Sequence, residues 1–314
     1  MKHAVLGAMI LAALAVPALA ADYTIMAPAG PGGGWDSTAR TMQAVLQDEG
    51  ISKSVQVTNV PGAGGTVGLA QFVGSAKGDP SQLIVGGYVM VGAILTNGSP
   101  VSLADVTPIA RLTGEAVAIV VPAASPIQDI KGLVDAMVAD PGAVSWAGGS
   151  AGGVDHITVG LLAKAAGIDP TKINYIAFSG GGEALAAILG NQVTAGISGL
   201  GEFLPQVQAG TMRLLAVSSD ARLPDVDAPT LAESGYDVVV QNWRMVAAAP
   251  GLSADQKAAV LADMEKLAKS AGWQKALADK GWADTYLAGD AFDAQLAKEI
   301  EATTVILKDV GLVK

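Results

Sequence analysis

One serine and one histidine in this 314-residue chain stand at a spacing that invites a chemical reading. Gly148-Gly149-Ser150-Ala151-Gly152 has the G-x-S-x-G form that raises a nucleophilic serine on a strand-to-helix turn, and His156 follows it. A hydrolase serine needs a base brought from a distant loop, after the acid in chain order. His156 instead follows closely on the same predicted helix, and the only other histidine is His3. Ester hydrolysis is therefore a distant alternative and no catalytic residue is assigned. With no cysteine and so few histidines the chain offers no transition-metal site, and it has no EF-hand spacing for calcium. No metal and no cofactor are expected.

The glycine loops carry the stronger signal. They are APAGPGGGWDSTAR (Ala27 to Arg40), PGAGGTVG (Pro61 to Gly68), Gly86-Gly87 before Tyr88, GGSAGGVDH (Gly148 to His156) and SGGGEA (Ser179 to Ala184). A helix start has unpaired N–H groups and the positive end of the helix dipole, so it attracts anions without a cationic side chain. Glycine allows close approach and positive φ. The candidate ligand-binding residues are Pro28, Ala29, Gly32, Gly33, Gly34, Trp35 and Asp36 in the first loop and Gly62, Ala63, Gly64, Gly65 and Thr66 in the second. Gly87, Tyr88, Ser150, Ala151, Gly152, His156, Ser179, Gly180 and Arg244 complete the set.

Each candidate has a plainer reading. Any one glycine turn can be purely structural, and only their recurrence argues for a shared site. Asp36 caps its helix or anchors a neighbouring loop, and an i,i+4 pair with Arg40 is the simple reading of that arginine. Trp35 is a cleft wall or ordinary packing; His156 is a buried polar residue or a ligand contact. Arg244 is a carboxylate clamp or half of a structural ion pair. A nucleotide site is disfavoured, because Gly62 and Gly64 begin a G-x-G-x-x-G match that Val67 breaks, and no P-loop occurs.

The elements that must position these loops recur in one order: a β-branched run, a glycine turn, a helical pattern. Strands are predicted at Tyr23 to Ala27, Val55 to Asn59, Leu83 to Gly87, Val117 to Val121, Val144 to Ala147, Ile173 to Phe178 and Leu214 to Ser218, with a returning strand from Val238 through NWRMVAAAP. Two helices close the chain, one lined by Val260, Met264 and Leu267, the other by Phe292, Leu296, Ile300 and Leu307. This alternation predicts an α/β fold with mostly parallel sheets and ligand loops at the carboxyl ends of strands.

Residues 1–20 read as a secretory signal peptide cleaved after Ala20, with Lys2, an apolar run too short to span a membrane, and Ala18-Leu19-Ala20. The mature chain is expected in the periplasm, where the lack of cysteine causes no difficulty. The formal charge of −10 argues against nucleic acid and against an anionic membrane surface.

Taken in order, PGGGWDSTAR (Pro31 to Arg40), NVPGAGGTVG (Asn59 to Gly68), the central strand and loop pairs, and PQVQAGTMRLLAVSSDARLPDVDAPTLAESGY (Pro205 to Tyr236) resemble the Bug family. These are the extracytoplasmic solute-binding receptors of tripartite tricarboxylate transporters. Trp35 and the NWR at Asn242 to Arg244 are similar to the tricarboxylate branch. The resemblance implies a type II-like periplasmic-binding-protein fold: lobe 1 from residues 21–121 and 241–314, lobe 2 from 122–240, and ligand between them. It implies that Pro28 to Asp36 and Pro61 to Thr66 hold one carboxylate, with Gly87 to Val91, Gly148 to His156 and Ser179 to Glu183 supplying the remainder. Thr194 stands where many relatives have aspartate, which disfavours amino acids. The implied ligand is a citrate-like di- or tricarboxylate, captured by a monomer through lobe closure and passed to an inner-membrane permease. Alternatives are an aromatic or other monocarboxylate, seated on Trp35, Tyr88 and Met90, or a sensor-kinase partner.

Overall fold

The computed structural model describes residues 21–314, so the signal peptide expected at 1–20 and its expected cleavage after Ala20 lie outside the described residues. The chain begins with β1 (Ala21–Ala27), α1 (Gly34–Asp48), β2 (Ser52–Asn59), a 3-10 turn (Ala63–Gly65), α2 (Thr66–Ser75), β3 (Gln82–Gly87) and α3 (Tyr88–Asn97). The long β4 (Thr107–Pro122) leads to α4 (Ile130–Ala139), β5 (Ser145–Gly148), α5 (Val154–Ala165), β6 (Asn174–Ala177), α6 (Gly181–Leu189), β7 (Ala195–Gly199), α7 (Leu200–Gln208) and β8 (Met212–Val217). The return runs through β9 (Gln241–Ala248), α8 (Ala254–Lys269), α9 (Ala271–Lys280), β10 (Ala283–Ala288) and α10 (Gly289–Asp309).

Local chemistry accounts for many of these boundaries. Ala39, Met42, Val45 and Leu46 form the buried stripe of α1. Ser253 and Gln256 make a reciprocal capping box at the start of α8, and Asp129 accepts the Gly132 N–H at 2.7 Å to open α4. No helix of the described residues is long and apolar enough to cross a membrane.

The strands join in the order β2-β1-β3-β9-β4-β7-β5-β6, with β8 and β10 also on β4. Among the described residues, the strands that pair in parallel are β1 with β2 and β3, and β5 with β6 and β7. Every pairing of β4 and β9 is antiparallel, so the expectation of mostly parallel sheets is corrected to a mixed sheet. The cause is that β4 serves both halves of the molecule. Its residues 107–116 pair with β9, and its residues 117–122 pair with β7 and β8. The change of partner falls between Ala116 and Val117, inside the strand. There Ser218 Oγ accepts the Val117 N–H at 2.8 Å and donates to the Val240 carbonyl at 2.6 Å, which pins the outgoing and returning crossings together.

The halves meet closely where α3 faces the loop before α5. A Cβ at Gly92 would collide with the Gly152 carbonyl oxygen, whereas one at Gly74, in α2, meets nothing within 4 Å. Gly92→Ala is therefore expected to cost about 1–3 kcal/mol by overpacking, and Gly74→Ala to gain about 0.5–1 kcal/mol. Thermal melts of the two variants check this; equal stabilisation by both would contradict so close an approach.

Candidate functional site

A cavity of about 60 Å³, room for a few waters, lies where the two halves face each other. The starts of α1, α2, α5 and α6 converge on it. Of the predicted residues, Pro28, Ala29, Gly33, Gly34, Trp35, Gly62, Gly64, Gly65, Ser150, Ser179, Gly180 and Arg244 line it. The second loop approaches because its backbone is left-handed at Gly64 (φ 65°) and Gly65 (φ 88°). A Cβ at Gly65 would lie 2.7 Å from the Trp35 indole, so glycine is what lets that ring form a wall.

The other predicted residues stand behind or beside the cavity. Asp36 is a latch: its carboxylate accepts the Gly32 N–H at 2.9 Å, Asn59 Nδ2 at 2.9 Å and Arg40 Nε at 3.0 Å, tying the first loop to the end of β2. Burial opposes this charge, but the three donors win and hold Asp36 below the usual carboxylate range. Ala63 and Thr66 bond to each other, the Thr66 hydroxyl donating to the Ala63 carbonyl at 2.9 Å. Gly87 runs tight against the Trp243 backbone, and Tyr88 stacks on Trp243 at 6.2 Å. Tyr88 and the buried Met90 thus build no apolar end for an aromatic ligand in this cavity, where Trp35 and Val89 are the large apolar contacts.

His156 lies flat on Tyr175, ring centroids 4.1 Å apart, and its Nδ1 accepts the Gly152 N–H at 3.3 Å. Burial pushes it down to about 4, a poor base at neutral pH. Ala151 and Gly152 complete that turn without lining the cavity. Ser150 reaches the cavity without a bond to His156, so the hydrolase pair is not assembled.

Sequence reasoning missed the acids. Glu115, Asp155 and Glu202 surround Arg244, and Asp155 and Glu202 line the cavity together with Gly149, Gly181, Ser198, Asn242 and Val89. Arg244 and Glu115 form an almost wholly buried ion pair through Nη2, and the guanidinium also lies 5.0 Å from the Trp282 ring centre. The pairing follows from register: Arg244 stands opposite Thr113, and Glu115 is the next residue on that face of β4. Glu202 accepts the Ser198 hydroxyl at 2.9 Å, and its Oε1 lies against Gly34.

The amides expected to await a ligand are in part taken by the protein itself. Gly32 N–H goes to Asp36, Gly149 to Asp155 at 2.8 Å and Ser179 to Glu183 at 3.1 Å. Acidic side chains satisfy helix starts for the same reason a ligand would. Donors remain ahead of the ladder in α6, whose first return bond is Ala184 N–H to Gly180, and in α1, whose first is Ser37 N–H to Gly33.

Burial first, then repulsion from Glu115, pushes Glu202 up to about 7. Burial likewise pushes Asp155 up to about 7, aided by Glu202 and Glu115 and opposed by the Gly149 N–H and Arg244. Folded-state affinities for protons above the unfolded ones mean the native protein binds more protons between pH 4 and 7, so stability falls as pH rises through that window. Melting temperature of the ligand-free protein should rise on acidification from pH 8 to 6.5. Below about 6.5 the rise should slow, because His156, held neutral when folded, charges on unfolding. Asp155→Asn should raise the melting temperature at pH 8 and flatten the slope; an unchanged slope would contradict a buried titrating Asp155.

Residues 38–312 match the family described as the tripartite tricarboxylate transporter family receptor. Protein BugT of Bordetella pertussis is 28% identical, with 98% of this chain and 97% of BugT covered. The solved structure of the periplasmic binding protein BugD superposes with a TM-score of 0.84 at 22% identity, over 93% of this chain and 98% of that one. MatC of Rhodopseudomonas palustris, solved with bound malate, superposes at 0.77 with 24% identity, over 94% and 99%. The two-lobed α/β binding-protein architecture is thereby established, and the chain belongs to the tripartite tricarboxylate transporter receptor family.

Proposed function

We propose that this chain is a periplasmic receptor that captures a small di- or tricarboxylate in the cavity around Arg244 and delivers it, as a monomer, to a tripartite permease. The observation that carries this is the state of Arg244: Nη2 is spent on Glu115, while Nη1 is buried with no partner, on a residue that lines the cavity. A buried guanidinium donor left unpaired is costly, and a carboxylate is the group that fits its geometry. The free amides of the α1 and α6 starts converge on the same space.

Closure needs differential contact between open and closed states. Glu202 Oε1 lies against Gly34, so the start of α1 meets α7 across the cavity. An arriving carboxylate competes with Glu202 for this corner, and a protonated Glu202 yields it more readily than a charged one. No bond is made or broken, so the binding energy goes into closure alone. Malate, the molecule bound by MatC, belongs in the first panel with citrate and tricarballylate.

Thermal-shift and calorimetric titration against that panel test the reading, with benzoates as the contrasting class. Replacing both Arg244 and Glu115 by Gln removes the two charges of the ion pair together, so neither is left facing a bare partner. This double variant is expected to fold and to bind at least about a hundredfold more weakly. Full affinity in it would overturn the assignment.

A further inference from the structure

The charged side chains at the heart of the cavity can be followed atom by atom. Glu115 binds Arg244 through Oε1 and accepts the Gly201 N–H at 3.3 Å through Oε2. Glu202 Oε2 accepts from Ser198, and Asp155 Oδ2 accepts from Gly149. Two buried atoms are left over, Arg244 Nη1 and Asp155 Oδ1. Among the described residues these are the buried side-chain atoms without a partner that belong to cavity-lining residues, and Arg244 and Asp155 are only 1% and 5% exposed.

The two atoms differ in kind and in origin. Arg244, on β9, offers a donor from one half of the molecule; Asp155, in the first turn of α5, offers an acceptor from the other. A plain carboxylate answers the first and confronts the second with like charge. A ligand carrying a donor next to its carboxylate answers both at once and bridges the halves. Resting on the carboxylate reading above, we propose that Asp155 is a specificity-determining residue that accepts a hydrogen bond from a hydroxyl or ammonium group of the ligand, while the ligand's carboxylate takes Arg244 Nη1.

Thr194, where the sequence placed the absence of an ammonium partner, has no part in this. Its hydroxyl lies 3.3 Å from Ser145 at the opposite end of β5, and the residue does not line the cavity. The acceptor is supplied from α5 instead, so an amino group is not disfavoured.

Calorimetry with matched acids tests the proposal: succinate against malate and aspartate, tricarballylate against citrate, propionate against lactate and alanine. In the wild type the best binder should carry a hydroxyl or ammonium group and exceed its unsubstituted partner at least about tenfold; whether the hydroxyl or the amino member wins assigns the donor. Asp155→Asn, which keeps size and removes the charge, should cut that ratio severalfold while unsubstituted acids bind as well or better. Unsubstituted acids binding as tightly as their partners, or a ratio unchanged in Asp155→Asn, would overturn the role of Asp155 and leave the carboxylate reading standing. Failure of every acid to bind wild type would overturn both.

Discussion

A guanidinium and a carboxylate almost wholly withdrawn from water, Arg244 and Glu115, hold the centre of this molecule. Withdrawing such a pair is expensive, and breaking it from one side costs about 3–5 kcal/mol because a bare charge is left behind. Adjacent antiparallel strands supply the two groups on one face, so the sheet fixes their relation before any ligand is considered. The pair also reaches outward, since Glu115 accepts the Gly201 N–H at the start of α7. One interaction thereby connects the returning strand, the long shared strand and the second half.

Around that pair the protein uses its own acids where a ligand might have been imagined. Asp36 holds its loop in shape, Glu202 lies against the α1 start, and Asp155 closes the turn after β5. The local field at the cavity is therefore not simply positive, even though helix starts point into it. One arginine, several helix starts and two buried carboxyl groups share that space. An overall charge of −10 supplies no long-range steering of anions.

Several elements escaped the sequence reading for definite reasons. The first half of β4, Thr107 to Ala116, contains Arg111, Thr113 and Glu115, and a strand that buries Thr113 and Glu115 shows neither alternation nor a continuous apolar run. Pro205 lies inside α7 and reads as a breaker, which hid the helix that carries Glu202. Between the two closing helices, α9 and β10 are short and weakly patterned. The opening loop, the second glycine loop and the core stripes of α1, α8 and α10 were legible, because glycine at positive φ and apolar residues at helical spacing are local requirements.

The sequence by itself determined the succession of strands, glycine turns and amphipathic helices, the family resemblance, and most of the loops that meet at the cavity. Those follow from dihedral freedom, capping and periodicity, which act over a few residues. Only the tertiary structure decided that Arg244 pairs with Glu115 across strands, that Glu202 and Asp155 enter the cavity, and that Tyr88 and His156 turn to neighbouring rings instead. These depend on strand register and on contacts between residues far apart in the chain, where burial and charge are settled together and no local pattern records the outcome.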